Sequence, residues 1–108
     1  MPSAKLVVIY PVPKDRETFE RLYHDQHVPM AIKKLVGKTK IVATKVLSSA
    51  QGGPAPFHRV AEIHFPSMSA LQACAAKEGA KETLANAVSI STGGAPIFIA
   101  AEEETFMF

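Results

Sequence analysis

The sequence has a single cysteine and no tryptophan, and its apolar runs are short. Cys74 alone cannot form a disulfide within the chain, which excludes a disulfide-stapled fold, and we expect it to pack as a small apolar side chain. The apolar run at residues 6–10 is far too short for a membrane span or a secretory leader. We therefore expect no membrane partner and a cytoplasmic location.

The sequence also lacks a strong excess of one charge. Twelve Lys and Arg residues face ten Asp and Glu residues, for a formal net charge of +2. The densest basic group, Lys33, Lys34, Lys38 and Lys40, suits a solvated helix end and the start of the next strand. No basic run is long enough to form a nucleic-acid surface, so we expect no nucleic-acid partner.

The order of strand-like and helix-like segments predicts one α+β domain over residues 1–108. Apolar alternation and turn formers predict strands at residues 5–10, 38–48, 57–65 and 97–101. Helices are predicted at 16–27 with a continuation to 35, and at 68–78 and 81–89. This βαββαβ order is typical of the ferredoxin-like fold, a four-stranded antiparallel sheet with its helices on one face.

The predicted strands carry apolar residues on both faces, although helices cover only one. The other face is then a large apolar patch unless something buries it. A second copy packed sheet on sheet about a two-fold axis is the simplest solution, so we expect a homodimer. The apolar tail at residues 106–108 is either an arm across that interface or a loose terminus.

Residues 19–30 carry the strongest functional signal. Phe19, Tyr23 and His27 recur every four residues, so a helix presents them on one face with Met30 beside them. Pro29 is expected to break the helix just after the histidine. A stripe that ends in a phenol and an imidazole is suited to lining a pocket.

His27 is the leading catalytic candidate. A helix terminus favours the imidazolium, whereas burial favours the neutral ring, and the sequence leaves both open. A neutral ring with one nitrogen bonded to a carbonyl keeps the other as a general base; the alternative is a core histidine that locks the turn. Tyr23, and less strongly Tyr10, are candidates for donating a hydrogen bond to a ligand oxygen.

Glu62 is the third catalytic candidate, because a carboxylate in the middle of a buried strand is costly unless it is paired. Strand alternation places His58 and His64 on its face and Arg59 on the other. Glu62 is then either a pocket acid or base with a raised pKa, or an interface carboxylate bonded to the partner chain.

The histidines do not predict a metal site. His24 and His27 are three residues apart, whereas the helical zinc motif spaces its histidines by four and adds a glutamate. His58 and His64 are too far apart on one strand to share an ion. The glycines at 93–94 precede a strand rather than a helix, so they do not form a phosphate-binding loop. We expect neither a metal nor another cofactor.

Several segments together resemble the EthD family of the dimeric α+β barrel superfamily, named for a protein of ethyl tert-butyl ether degradation. They are KLVVIYPVP at the first strand, Phe19 and Tyr23 before HVPM, GGPAPFHRVAEIHF at 52–65, the helix LQACAAKEGAKETLAN and the loop TGG before the last strand. Met30 stands where leucine is common in the family, and Phe57 where tyrosine is frequent.

The resemblance implies a homodimer whose two sheets close into a barrel, with a cavity between sheet and helices in each subunit. The pocket is expected to use Tyr23, His27 and Glu62 as catalytic candidates, and the residues in contact with ligand are expected to be Tyr10, Phe19, Met30, Phe57 and Phe65. The implied function is that of an auxiliary protein that binds or acts on a small hydrophobic organic molecule in catabolic or secondary metabolism.

The resemblance leaves the chemistry open, because this scaffold carries several activities. One hypothesis is a cofactor-independent oxygenase, isomerase or cyclase. Another is a non-catalytic carrier or stress-type binding module that uses the same pocket. A third is haem binding, with His27 as the axial ligand.

Overall fold

Four antiparallel strands form one sheet in the computed structural model, which describes residues 2–108. The strands are β1 (Ser3–Tyr10), β2 (Lys40–Lys45), β3 (Arg59–Phe65) and β4 (Ile97–Glu103). Their order across the sheet is β2-β3-β1-β4, so β1 and β3 are the central strands. The predicted ferredoxin-like βαββαβ fold is confirmed. β2 is shorter than predicted, and β4 is two residues longer.

The helices are α1 (Arg16–Leu22), α2 (Val28–Lys34), α3 (Met68–Ala75) and α4 (Glu78–Ile90). Asp15 caps α1 by accepting a hydrogen bond from the Thr18 amide, and Ser67 caps α3 in the same way. The helix predicted at 68–78 ends earlier, at Ala75, and α4 begins at Glu78 rather than at residue 81. Gly79 lies in the first turn of α4, where a Cβ would come within 3.0 Å of the Lys34 carbonyl oxygen, so glycine lets α4 pack closely on α2.

Pro29 does not break the helical run, contrary to the sequence prediction. Residues Tyr23–His27 form a π-helical turn that joins α1 to α2, and the Val28 amide donates to the carbonyl of Tyr23 five residues earlier. A proline ring collides with the carbonyl four residues before it in an α-helix. The wider turn relieves this conflict, and Pro29 then occupies the first turn of α2, where its missing N–H costs little.

One face of the sheet packs on the helices. The side chains that alternate onto this face form the core. The core includes Val8 and Tyr10 of β1, Ile63 and Phe65 of β3, and Cys74 of α3. Cys74 is buried, and burial raises the pKa of its thiol, in keeping with the predicted packing role.

The opposite face, called here the open face, carries rows of mainly apolar side chains that no helix covers. Two rows cross all four strands: Val42, Glu62, Val7 and Ile99, and next to them Thr44, Val60, Ile9 and Ile97. Ile97 and Ile99 are more than two-fifths exposed. The predicted apolar second face is therefore present. The tail at 106–108 extends beyond β4 with its apolar side chains exposed.

His58 does not lie on the face that strand alternation predicted. β3 begins at Arg59, so His58 precedes the strand. The alternation of side chains along the strand therefore does not apply to it. Its ring is buried on the helix side, edge-on to Phe19 with the ring centroids 5.1 Å apart. Glu62 and His64 remain together on the open face, as the alternation predicted.

Within residues 2–108, every helix is too short or too polar to traverse a lipid bilayer.

The loop between α4 and β4 holds the end of β1 in place through a close backbone approach. The Lys14 amide donates to Thr92 Oγ1 at 3.0 Å. At Gly93, an added Cβ would lie 1.8 Å from the Val12 carbonyl oxygen and 2.7 Å from its carbon. Only a glycine fits there without moving the backbone.

We expect Gly93→Ala to lower the free energy of unfolding by about 1–3 kcal/mol, the usual cost of overpacking a tight contact. Gly53→Ala is the matched control, because its Cβ would meet only the Ser49 Cβ, at 3.8 Å. Urea unfolding of both variants measures the difference. Equal stability of the two variants would contradict the role assigned to this contact.

Candidate functional site

A cavity lies between the helix face of the sheet and the helical layer. Its lining is apolar apart from Tyr23, His27 and Thr83. The volume of the cavity is about 20 Å³. The apolar lining comes from three strands and two helices: Leu6, Val8, Val28, Ala31, Leu35, Ile41, Ala61, Ile63, Leu84 and Ala87.

A cavity of this volume holds about one water molecule. Leu6, Val28, Ile41 and Leu84 are only half-buried, so these lining residues border solvent. A larger ligand must displace such side chains to enter.

His27 is held from both sides by side chains of other elements. Tyr10, at the end of β1, places its hydroxyl 3.2 Å from Nε2, and Asn86 of α4 places Oδ1 2.8 Å from Nδ1. The amide oxygen only accepts, so Nδ1–H donates to it, and Nε2 then accepts from the Tyr10 hydroxyl. The chain Tyr10–His27–Asn86 therefore fixes one neutral tautomer of the imidazole.

The sequence left the charge of the His27 ring open, and its surroundings favour the neutral form. Burial lowers the pKa of His27, and the hydrogen bond to Asn86 offsets this only in part. The helix-terminus argument for the imidazolium fails because the helical run continues through α2 rather than ending at His27. Burial raises the pKa of Tyr10 well above its ordinary value, so this phenol keeps the proton that it donates.

The predicted stripe of aromatic rings is present, and the π-helical turn keeps it continuous. Phe19 stacks on Tyr23 with centroids 5.5 Å apart, and Tyr23 stacks on His27 at 5.8 Å. Tyr10 meets Phe19 and Tyr23 edge-on at 5.2 and 5.7 Å. The structure thus brings together four of the predicted site residues: Tyr10, Phe19, Tyr23 and His27.

A buried ionic cluster supports this stripe from the side of the sheet. Arg59 Nε donates to Glu20 Oε2 at 3.1 Å and its Nη2 to Oε1 at 2.5 Å, while His58 Nε2 donates to Oε2 at 3.0 Å. The guanidinium carbon of Arg59 lies 5.1 Å from the centre of the Tyr23 ring. The hydrogen bond from Arg59 is the main cause that lowers the pKa of Glu20 to about 2.

Glu62 does not line the cavity, and of its two alternatives the pocket acid or base with a raised pKa is wrong. It lies on the open face, where it accepts from Lys5 Nζ at 3.0 Å and from His64 Nε2 at 3.1 Å. The hydrogen bond from Lys5 lowers the pKa of the carboxyl, with His64 contributing in the same direction. The other ring nitrogen of His64 faces Glu103 Oε1 at 3.1 Å.

The other predicted ligand contacts lie away from the cavity. Phe65 is buried on the helix face but borders a separate apolar space beside Leu71 and Cys74. Met30 is half-buried on α2, and Phe57 is half-buried in the loop before β3. None of the three lines the cavity beside His27.

Asn86 and Glu20 are the residues of the site that sequence reasoning missed. Asn86 is three residues after the buried Thr83 and directly before the buried Ala87, so helical spacing alone places it near the buried face of α4. Glu20 directly follows Phe19 and shows no such sign. Its role in the site depends on its pairing with Arg59, which lies far along the sequence on β3.

His24 lies apart from the site, with its Nδ1 donating to the Glu20 carbonyl on the exposed side of the helix. Within residues 2–108, no three His, Cys, Asp or Glu side chains are grouped so that they could hold a metal ion together.

Comparison with known proteins adds family information to this geometry. The EthD domain model matches residues 13–107 of the chain. No curated protein matches the chain significantly.

Three solved structures are similar to the chain. An ethyl tert-butyl ether (EthD) family protein from Bacillus halodurans shares 22% identity with a TM-score of 0.86, covering 94% of this chain and 99% of that one. An EthD-like protein from Ralstonia eutropha shares 26% identity with a TM-score of 0.74, covering 94% and 92%. A dimeric ferredoxin-like protein of unknown function from Jannaschia shares 14% identity with a TM-score of 0.68, covering 94% and 99%.

We expect Glu20→Gln to destabilise the fold by about 2–4 kcal/mol at neutral pH, because it leaves the buried Arg59 without its counter-charge. The pKa of Glu20 falls from 4.5 to about 2 on folding, so the unfolded chain binds more protons between these values. The stabilisation from the carboxylate is therefore complete above about pH 4.5 and is lost as the pH falls towards about 2. The free energy of unfolding, measured with urea at pH values from about 7 down to about 3, should show this loss.

The matched control is Glu17→Gln, an exposed glutamate of the same helix. The Glu17 variant should keep the wild-type stability and acid profile, whereas the Glu20 variant should lose part of the acid-dependent slope. Identical profiles for the two variants would refute the role of the Glu20–Arg59 pair.

Proposed function

The chain belongs to the EthD domain family, and on that premise we propose that it is a homodimeric protein that binds a small hydrophobic organic molecule. The ligand would occupy the cavity between sheet and helices, with Tyr23 and His27 at its polar side. The observation that carries the proposal is the cavity lining, in which ten of the thirteen side chains are apolar. Concave, mainly apolar spaces with a few fixed polar groups are typical of small-molecule sites.

The fixed state of His27 favours binding over catalysis. A general base needs a free lone pair within reach of the substrate, and the lone pair on Nε2 already accepts the Tyr10 hydroxyl proton. Proton transfer at this ring therefore requires Tyr10 to release it first. An axial bond to haem iron requires the same release, which disfavours the haem alternative. We propose a carrier or auxiliary role in catabolic or secondary metabolism, of the kind that the family name suggests, in a cytoplasmic setting compatible with the free Cys74 thiol.

The homodimer is supported by the open face, which presents rows of apolar side chains across all four strands. Burial of such a face against a second copy removes apolar area from water at about 25 cal/mol per Å². The Jannaschia relative is itself described as dimeric. Glu62 and His64 then belong to the region between the two sheets rather than to the ligand cavity.

We expect Ile99→Glu to dissociate the dimer, because it places a charge among the apolar side chains of the open face. Size-exclusion chromatography with light scattering at micromolar concentration measures the mass. Val88→Glu is the matched control, since Val88 is 51% exposed and Ile99 41%, but Val88 lies on α4 away from the open face. A monomeric wild-type protein, or a dimer that survives Ile99→Glu, would contradict the sheet-on-sheet arrangement.

We expect Ala87→Leu to weaken binding of a small apolar probe, methylenecyclohexane, by about tenfold or more, because the added carbons fill the cavity. Isothermal titration calorimetry measures the dissociation constant. Ala85→Leu adds the same carbons on the exposed side of α4 and should bind as the wild type does. The cavity proposal fails if the wild type does not bind the probe, or if both variants bind it equally.

A further inference from the structure

The polar side chains that line the cavity differ in how much of their hydrogen-bonding capacity the protein already uses. His27 has both ring nitrogens engaged, by Tyr10 and Asn86. Thr83 donates its hydroxyl proton to the Gly79 carbonyl at 2.7 Å. The Tyr23 hydroxyl makes no hydrogen bond to any part of residues 2–108. Of the three, only Tyr23 therefore has an unused donor.

The Tyr23 hydroxyl also borders open space, although the residue is only 1% exposed. In the described chain, no side-chain nitrogen or oxygen is both sealed from a water-sized sphere and without a hydrogen-bond partner. Since the Tyr23 hydroxyl has no partner in residues 2–108, a water-sized sphere reaches it, and Tyr23 is one of the side chains that line the cavity. A buried phenol with a free donor is a group that the fold leaves for a ligand to satisfy.

The surroundings of Tyr23 keep this hydroxyl a donor. Burial raises the pKa of Tyr23, so the phenol stays protonated at neutral pH. Arg59 lies beside the ring, but its guanidinium is committed to a bidentate pair with Glu20. The cavity is therefore lined by neutral groups, and an ionised ligand would lose its hydration there without gaining a counter-charge.

We propose that the cavity selects a neutral, mainly apolar molecule that carries one acceptor oxygen, such as a ketone, to which the Tyr23 hydroxyl donates a hydrogen bond. This inference rests on the proposed function, because it assumes that the ligand occupies the cavity. It adds the chemical class of the ligand and assigns Tyr23, rather than His27, as the residue that recognises it. His27 acts as a fixed wall of the site, oriented by Tyr10 and Asn86.

Two probes of the same shape test the proposal: cyclohexanone, which has an acceptor oxygen, and methylenecyclohexane, which has none. Tyr23→Phe should weaken cyclohexanone binding by about tenfold, the effect of losing one buried hydrogen bond. It should change methylenecyclohexane binding by less than about twofold, because the shape of the cavity is retained. Calorimetric titration of both probes into wild type and variant gives the two ratios.

Thr83→Val is the control, since it removes a hydroxyl of the cavity wall that the protein already uses and keeps the shape of the side chain. It should shift the affinities for the two probes by the same factor. Circular dichroism should show native folding of Tyr23→Phe, because its hydroxyl has no partner in the described chain to lose. If Tyr23→Phe unfolds, the hydroxyl has a structural role and the proposal is wrong.

The outcomes separate this inference from the proposed function. If both probes bind and Ala87→Leu blocks both, but Tyr23→Phe affects them equally, the cavity binds apolar molecules and the assignment of Tyr23 is overturned. If Thr83→Val, and not Tyr23→Phe, weakens cyclohexanone selectively, the donor is misassigned. If neither probe binds the wild type, the proposed function itself fails and this inference fails with it.

Discussion

The constraint on which the site depends is the proline at position 29 inside a helical run. Because proline cannot donate a backbone hydrogen bond and collides with the preceding turn, the chain must either stop or widen there. It widens, with a π-helical turn over Tyr23–His27. The wider turn lets α2 continue the helical layer, and it keeps Phe19, Tyr23 and His27 stacked on one face. The cavity lies where this turn faces the sheet.

Two groups of charges lie on opposite faces of the same strand, and they are neutralised differently. On the helix face, Glu20 is paired with Arg59, which is largely removed from water. On the open face, Glu62 is shared by Lys5 and His64, and all of these groups remain partly exposed except the histidine. Each group joins one nearly buried side chain, Arg59 or His64, to carboxylates that are about a quarter exposed. The strand thus carries a hydrogen-bonded cluster of charges on each of its faces.

The sequence predicted the parts of the molecule that follow from local periodicity. Alternation along the strands predicted the four strands and the apolar second face of the sheet, and the four-residue spacing predicted the stripe from Phe19 to His27. It did not predict that Asn86 would hold His27, because that contact joins residues 59 positions apart. It misplaced His58 because alternation applies only within a strand, and β3 begins one residue later. The prediction that Pro29 breaks the helix assumed the hydrogen-bond pattern of an α-helix. The chain instead forms a π-helical turn before Pro29.

The position of β1 in the middle of the sheet has a consequence for synthesis of the chain on the ribosome. β1 is synthesised before the other three strands, yet one of its neighbours is β4, with Ser3 opposite Glu103. The central strand therefore stays unpaired on that side until residues 97–103 have emerged. Contacts between such distant residues slow folding, and an unpaired apolar strand is prone to aggregate before it pairs. The nascent chain is thus most vulnerable while β1 is exposed, and pairing with β4 ends this period.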